Sequence, residues 1–145
     1  MKVALFVPCY ADVMEPESGI ATLQLLRKLG IDPEYPRDQT CCSQPMVNAG
    51  FQKDARATQQ HFAQVFSGFD YVVAPSNSCV RNVRHNMTAV EQTDEVQEVR
   101  GTVIELVEFL HDVLKVDEFP WAEFPHRVTY HESCSSLRFL RQSAM

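Results

Sequence analysis

Every cysteine in this chain falls just past a short apolar run or in the loop that follows one, and this placement constrains the fold more than any other feature. Lys2–Val7 leads to Cys9, Ile31–Tyr35 to the adjacent pair Cys41 and Cys42, Tyr71–Ala74 to Cys79, and Val128–Tyr130 to Cys134. Short apolar runs rich in strand formers predict buried strands, with Ile31–Tyr35 the weaker of the four. Helical patterns fill the intervals. Over Glu17–Leu29 the apolar positions Ile20, Leu23, Leu26 and Leu29 recur at three-residue steps, with Ser18 as the expected cap and Gly30 as the stop. Gln52–Phe66 turns Ala55, Phe62, Val65 and Phe66 inward, and Cys79 opens a helix carrying Val80, Val83 and Met87. Residues 88–100 are polar and acidic, a surface helix or loop. Thr102–Leu114 reads as the best helix, with Val103, Leu106, Val107, Leu110, Val113 and Leu114 on one face.

Alternating strands and helices with short connections predict an α/β fold: an open, mostly parallel sheet with flanking helices. Ligands of such sheets sit beyond the carboxyl ends of the strands. The cysteines therefore gather on one crest at those ends. A single cysteine is often an inert buried hydrophobe, but a set delivered by four strands to one edge is not explained by core filling.

A length of 145 residues corresponds to about one domain. No apolar run reaches the roughly 18 residues that span a bilayer, so no membrane span is expected. The N-terminus has one charge and a short apolar stretch without a cleavage site, which argues against secretion and for the cytoplasm. There, thiols stay reduced unless they are catalytic or metal-bound. A net charge of −6 and scattered lysines and arginines remove the electrostatic footing for nucleic-acid binding.

Thiolates converging on one point are what an iron–sulfur cluster requires, with backbone amides nearby to stabilise its charge. Cys9, Cys41, Cys42 and Cys79 supply four. Neighbouring cysteines are poorly placed for a relaxed disulfide, but they can reach different irons of one cluster. Cys79 at a helix N-terminus gains from the helix dipole, which favours the thiolate. Structural zinc usually shows two cysteine pairs of short spacing, which are absent. A thiol–disulfide enzyme would carry Cys-x-x-Cys, and here the tetrad is Ser76-Asn77-Ser78-Cys79. A phosphatase loop needs an arginine six positions after its cysteine, where this chain has Glu15, His85 and Leu140. His61 and His111 are surface or edge residues of helices, while His131 is a candidate hydrogen-bond donor on the crest. No catalytic residue is identifiable.

The segments Val3–Cys9 and Val128–Cys134 form a weak repeat, since the same offset relates both valines and both cysteines. Together with Gln39-Thr40-Cys41-Cys42-Ser43-Gln44-Pro45, Pro75-Ser76-Asn77-Ser78-Cys79 and Tyr130-His131-Glu132-Ser133-Cys134, the chain resembles the cysteine-rich (CCG-domain) iron–sulfur family. It is most similar to the lactate utilization branch. More distant branches are one of the subunits of heterodisulfide reductase and the iron–sulfur subunit of glycolate oxidase.

The resemblance implies two modules per full-length protein. Residues 1–126 are then the first and 127–145 the start of a second, incomplete one. It further implies a cluster, [4Fe–4S] in the simplest case, held by Cys9, Cys41, Cys42 and Cys79. Cys134 is assigned to an incomplete second site and is expected to be a free thiol. The implied function is an electron-transfer component of an L-lactate-oxidising complex, an oxidoreductase subunit inactive alone, whose partners are the other subunits. A metal-binding structural module and a disulfide reductase component like that of the heterodisulfide branch are the alternatives. Self-association through an uncovered sheet edge is also expected. Two departures stand out: Ser43 replaces the glycine of the family motif, and Ser76 replaces the first cysteine of the Cys-x-x-Cys found in the heterodisulfide branch.

Overall fold

A computed structural model describes residues 1–140. Three parallel strands form the sheet in the order β1–β2–β3: β1 (Val3–Leu5), β2 (Tyr71–Ala74) and β3 (Val103–Glu105). Leu5 pairs with Val73 and Val73 with Ile104, so all three strands end on the same side. Each is apolar at successive positions because each is covered on both faces. Ala4, Phe6, Val72, Ala74 and Val103 face one layer, while Val3, Val73 and Ile104 face the other.

The first layer contains α4 (Gln52–Phe66), α5 (Asn77–Arg81) and α6 (Asp94–Thr102). Its centre is an aromatic cluster in which Phe6 meets Phe62 edge-on at 5.0 Å and Phe66 at 5.5 Å between ring centroids. The second layer holds Leu26 of α2 (Pro16–Lys28) and Phe109, which continues the short α7 (Leu106–Glu108) as a π-helical turn. Two short helices, α1 (Cys9–Met14) and α3 (Gln44–Asn48), complete the crest. Among the described residues no helix is long and apolar enough to cross a membrane. The open parallel α/β sheet with flanking helices is therefore as the sequence predicts.

Four local expectations are corrected. Ile31–Tyr35 contributes a single parallel bridge, Glu34 to Ala4, with the Leu5 N–H donating to the Glu34 carbonyl at 2.8 Å. Pro33 and Pro36 lack the donors needed to extend it. Ser18 lies inside α2, where its hydroxyl donates to the Glu15 carbonyl at 2.8 Å; Glu15 holds the N-cap position. At the other end Gly30, with φ 83°, terminates the helix in the left-handed conformation expected of it.

The largest correction concerns Thr102–Leu114. Val103–Glu105 is not helical but is the third strand, and the helix begins only at Leu106. Consecutive β-branched Val103 and Ile104 bury on opposite faces of the sheet, a period of two that overrides the helical stripe. Val107, placed on that stripe by sequence, is 48% exposed. Glu105 then caps the new helix, its carboxylate accepting from the Val107 N–H at 2.7 Å within a capping box closed by Glu108.

Val128–Tyr130 forms no strand, and Val128 and Tyr130 are 77% and 72% exposed. Cys134 instead opens a helical turn whose continuation, Ser136–Leu140, packs on α5 and buries Leu140. The Arg81 guanidinium lies 3.6 Å from the Phe139 ring centroid across this contact.

Arg84 ties the helical layer to β3. Its Nε donates to the Val103 carbonyl at 2.8 Å and its Nη1 to the Glu108 carboxylate at 2.9 Å, with both side chains largely shielded from solvent. Arg84→Ala leaves Glu108 partly buried without its cation, and a loss of about 2 kcal/mol in urea-denaturation stability is expected.

Candidate metal centre

Beyond the carboxyl ends of β1 and β2 lies a cavity of about 660 Å³. Cys9, Cys41, Cys42 and Cys79 all line it, together with Tyr10, Gln44, Ser76 and Ser78. Cys9 is the first residue of α1, and Cys79 stands in the first turn of α5. Cys41 and Cys42 come from the loop that runs from the Glu34 bridge to α3. Three separate segments thus bring together the four thiols that the sequence singled out.

The cysteine loop has little regular secondary structure, so three amide side chains, Gln59 and Asn82 buried and Gln39 half-buried, hold it in place. Gln39 acts as a substitute strand partner: its Oε1 accepts from the Val7 N–H at 2.8 Å and its Nε2 donates to the Leu5 carbonyl at 3.2 Å. Asn82 donates to the Cys42 carbonyl at 2.7 Å. Gln59 donates to the Ser43 hydroxyl at 3.1 Å while accepting from the Ala89 N–H at 3.0 Å. Sequence reading passed over all three, because a polar residue on a helix or loop gives no local sign that it will be buried.

Ser43 is fully buried and has φ 69°, the left-handed conformation in which an L side chain is strained and glycine is not. This is the physical reason for a glycine after the cysteine pair. Here the serine hydroxyl offsets part of that strain through Gln59.

Hydrogen bonds order the protons among the thiols. The Cys9 Sγ donates to the Cys41 Sγ at 3.2 Å. Cys41 is pulled down to about 5, foremost by the hydrogen bond it accepts from Cys42 and further by Cys9 and the Ser43 N–H. Cys79 is pulled down to about 7, again foremost by Cys42, with the Ser76 and Ser78 hydroxyls adding to the effect. Cys42 is pushed up by those same bonds to Cys41 and Cys79 and by burial, against the Gln44 N–H. A thiol carries one proton, so Cys42 serves its two neighbours alternately. Burial pushes Cys9 up to about 11 even though its residue keeps solvent contact at the cavity mouth, because the surrounding groups desolvate the sulfur. Near neutral pH the metal-free chain therefore favours the thiolate at Cys41 and thiols at Cys9 and Cys42, with Cys79 near the midpoint of its ionisation.

Cys134 stands apart. It is exposed and lines a second cavity of about 370 Å³ with Ser133, Ser135, Glu105 and the turn Pro75–Ser78. Pro75, Ser76 and Ser78 form a wall common to both cavities. His131 is exposed and lines neither cavity. His61 bonds the Asp38 carbonyl at 2.7 Å and His111 pairs with Asp112 at 2.8 Å, both away from the thiols. The buried carboxylate Glu105 at the end of β3 was missed by sequence reading. Its signal was the Glu105-x-x-Glu108 capping pattern, hidden inside the predicted helix.

A doubly covered parallel sheet with thiols gathered at its carboxyl edge defines a cysteine-rich α/β module. The sequence matches the cysteine-rich domain family (CCG) over residues 3–84, and the chain belongs to that family. It is 38% identical over 144 residues to Lactate utilization protein A of Geobacillus thermodenitrificans, covering 97% of this chain and 60% of the relative. It is 37% identical over 148 residues to Lactate utilization protein A of Halalkalibacterium halodurans, covering 99% and 60%. A third such protein, from Exiguobacterium sp., is 39% identical over 146 residues, covering 96% and 59%. The chain thus spans about 60% of the length of these curated relatives. No solved structure matches.

Among the described residues, no three cysteine, histidine or acidic side chains are arranged around a single ion position. The chemistry of the donor set nevertheless suits a soft, multinuclear group. Four sulfurs line one wide cavity, two of them held below the ordinary thiol range, and N–H groups of Tyr10, Ser43 and Gln44 bond three of the sulfurs.

Two outcomes follow. Ser43→Ala keeps the strained backbone and deprives Gln59 of its acceptor, whereas Ser43→Gly relieves the strain. The alanine variant should be the less stable by about 1 kcal/mol in thermal denaturation. In metal-free protein, a group held below its ordinary value reacts at lower pH. Iodoacetamide labelling followed by mass spectrometry should find Cys41 modified rapidly at pH 6 with little increase to pH 8. Cys9, pushed up to about 11, should label slowly across that range despite its exposure.

Proposed function

We propose that the four-thiol cavity holds an iron–sulfur cluster, [4Fe–4S] in its simplest form, ligated by Cys9, Cys41, Cys42 and Cys79. The observation that carries this reading is the meeting of four cysteines from three chain segments in one cavity at the sheet crest. Such a cluster supplies reversible one-electron storage. The chain's own contributions are separable. Cys41 and Cys79, held below the ordinary thiol range, lose their protons most readily, and Cys9 and Cys42 give up theirs as metal enters. The N–H groups of Tyr10, Ser43 and Gln44, with the hydroxyls of Ser76 and Ser78, direct positive dipoles at the sulfurs. Burial of Cys42 and Cys79 limits water at the inner wall, while exposed Cys9 marks the side open to a redox partner.

The name shared by the relatives, Lactate utilization protein A, extends the reading to a process. Oxidation of L-lactate to its 2-oxo acid releases two electrons, and this chain is proposed to relay them toward an acceptor as one subunit of a lactate-oxidising complex. Residues 1–126 form the complete module in this reading, and 127–145, with Cys134, begin a second. The complex partners and a cytoplasmic location belong to the same proposal.

Anaerobic reconstitution followed by iron and acid-labile sulfide analysis tests it. Iron and sulfide in equal amounts, a reversible reduction signal, and loss of both in Cys42→Ser are expected. Stoichiometric zinc without sulfide in the wild type would instead establish a structural metal module and overturn the electron-transfer reading.

A further inference from the structure

Asn82 stands three residues after Cys79, where α5 passes into the π-helical turn Asn82–Asn86, and residues three apart share a face of such a helix. It is 1% exposed, and its neighbours Val80 and Val83 are buried in the first layer, which fixes the rotation of this segment about its axis. From there its Nδ2 donates to the Cys42 carbonyl at 2.7 Å, across 40 positions of sequence. Its Oδ1 is buried and, among the described residues, bonds nothing. A buried acceptor without a donor costs free energy, so a half-bonded amide is a poor way to stabilise a core. What it supplies is a rigid link. Gln59 ties the following residue, Ser43, to α4, and Gln39 ties the loop to the end of β1. Of the three amides, Asn82 is the one that joins the cysteine pair to a helix bearing a third cysteine.

We infer that Asn82 is a positioning residue: by bonding the Cys42 carbonyl it fixes Cys42 relative to Cys79 and holds both sulfurs within reach of one cluster. The inference rests on the proposed cluster reading and adds to it a residue that ligates nothing. Cys42 is buried, so a carbonyl left without this donor must turn to find another, and the sulfur of the same residue moves with it. Cys79 stays where the buried valines of its helix place it. Losing an outer group that orients a ligand typically weakens metal binding by roughly 10- to 100-fold.

The test uses the full chain, reconstituted anaerobically, as wild type, Asn82→Leu, Asn82→Ala and Phe109→Leu. Leucine keeps the branched shape of asparagine and removes the donor; alanine removes it with less bulk, should leucine prevent folding. Phe109→Leu trims the opposite layer of the sheet and reads the effect of lost stability by itself. The chelator concentration that strips half the iron should fall about tenfold in the Asn82 variants. Their iron–thiolate stretching bands in resonance Raman spectra should shift as well, while Phe109→Leu matches the wild type in both measurements. Asn82 variants that keep the wild-type iron retention and spectrum overturn the inference and leave the cluster reading standing. So does a Phe109→Leu chain changed to the same degree, or failure of both Asn82 variants to fold, since either marks the role as stability. A wild-type chain that takes up no iron and sulfide overturns the cluster reading, and this inference with it.

Discussion

The parallel pairing of β1 with β2 is the constraint on which the rest of this molecule depends. With Leu5 opposite Val73, both strands leave the sheet at one level, and the helices that follow carry Cys9 and Cys79 into the lining of one cavity. A shift of one residue would turn Phe6 away from Phe62 and Phe66 and reverse the faces of Val72 and Val73. The aromatic cluster thus fixes the register, and the register fixes the distance between two of the thiols. Site geometry and core packing are here the same interaction viewed from two ends.

The Cys41–Cys42 loop is positioned in a different way. It lacks a strand pairing of its own beyond Glu34, so side-chain amides replace the backbone partners it does not have. Buried amides of this kind are costly unless each is bonded, and once bonded they hold a loop more specifically than apolar contact does. Gln59 shows the consequence for function. By linking Ser43 to Ala89 it couples the conformation of the cysteine pair to the loop before α6.

Electrostatics within the cavity alternate. Two sulfurs are held below the ordinary thiol range by protons that remain on the other two, so the metal-free site limits its own charge. Under the proposed cluster reading, metal uptake displaces protons from Cys9 and Cys42 and should be coupled to pH. Cys134 has no part in this arrangement, because the Pro75–Ser78 turn stands between the two cavities.

Local pattern alone was enough to locate α4 and β2, whose bounds match the sequence reading, and to place the thiols of Cys9, Cys41, Cys42 and Cys79 on one crest. Those features depend on hydrophobic period and on chain order in a parallel sheet, both of which are written along the sequence. Other features depend on what lies opposite. Val103–Glu105 became a strand because β2 offered an open edge, and Val128–Tyr130 did not because it packs on nothing that would bury it. The left-handed strain at Ser43, the hydrogen bonds of the three loop-holding amides and the order of protons among the sulfurs were likewise decided only in three dimensions. Each is a property of residues distant in sequence, and no periodicity of a single segment records its partner.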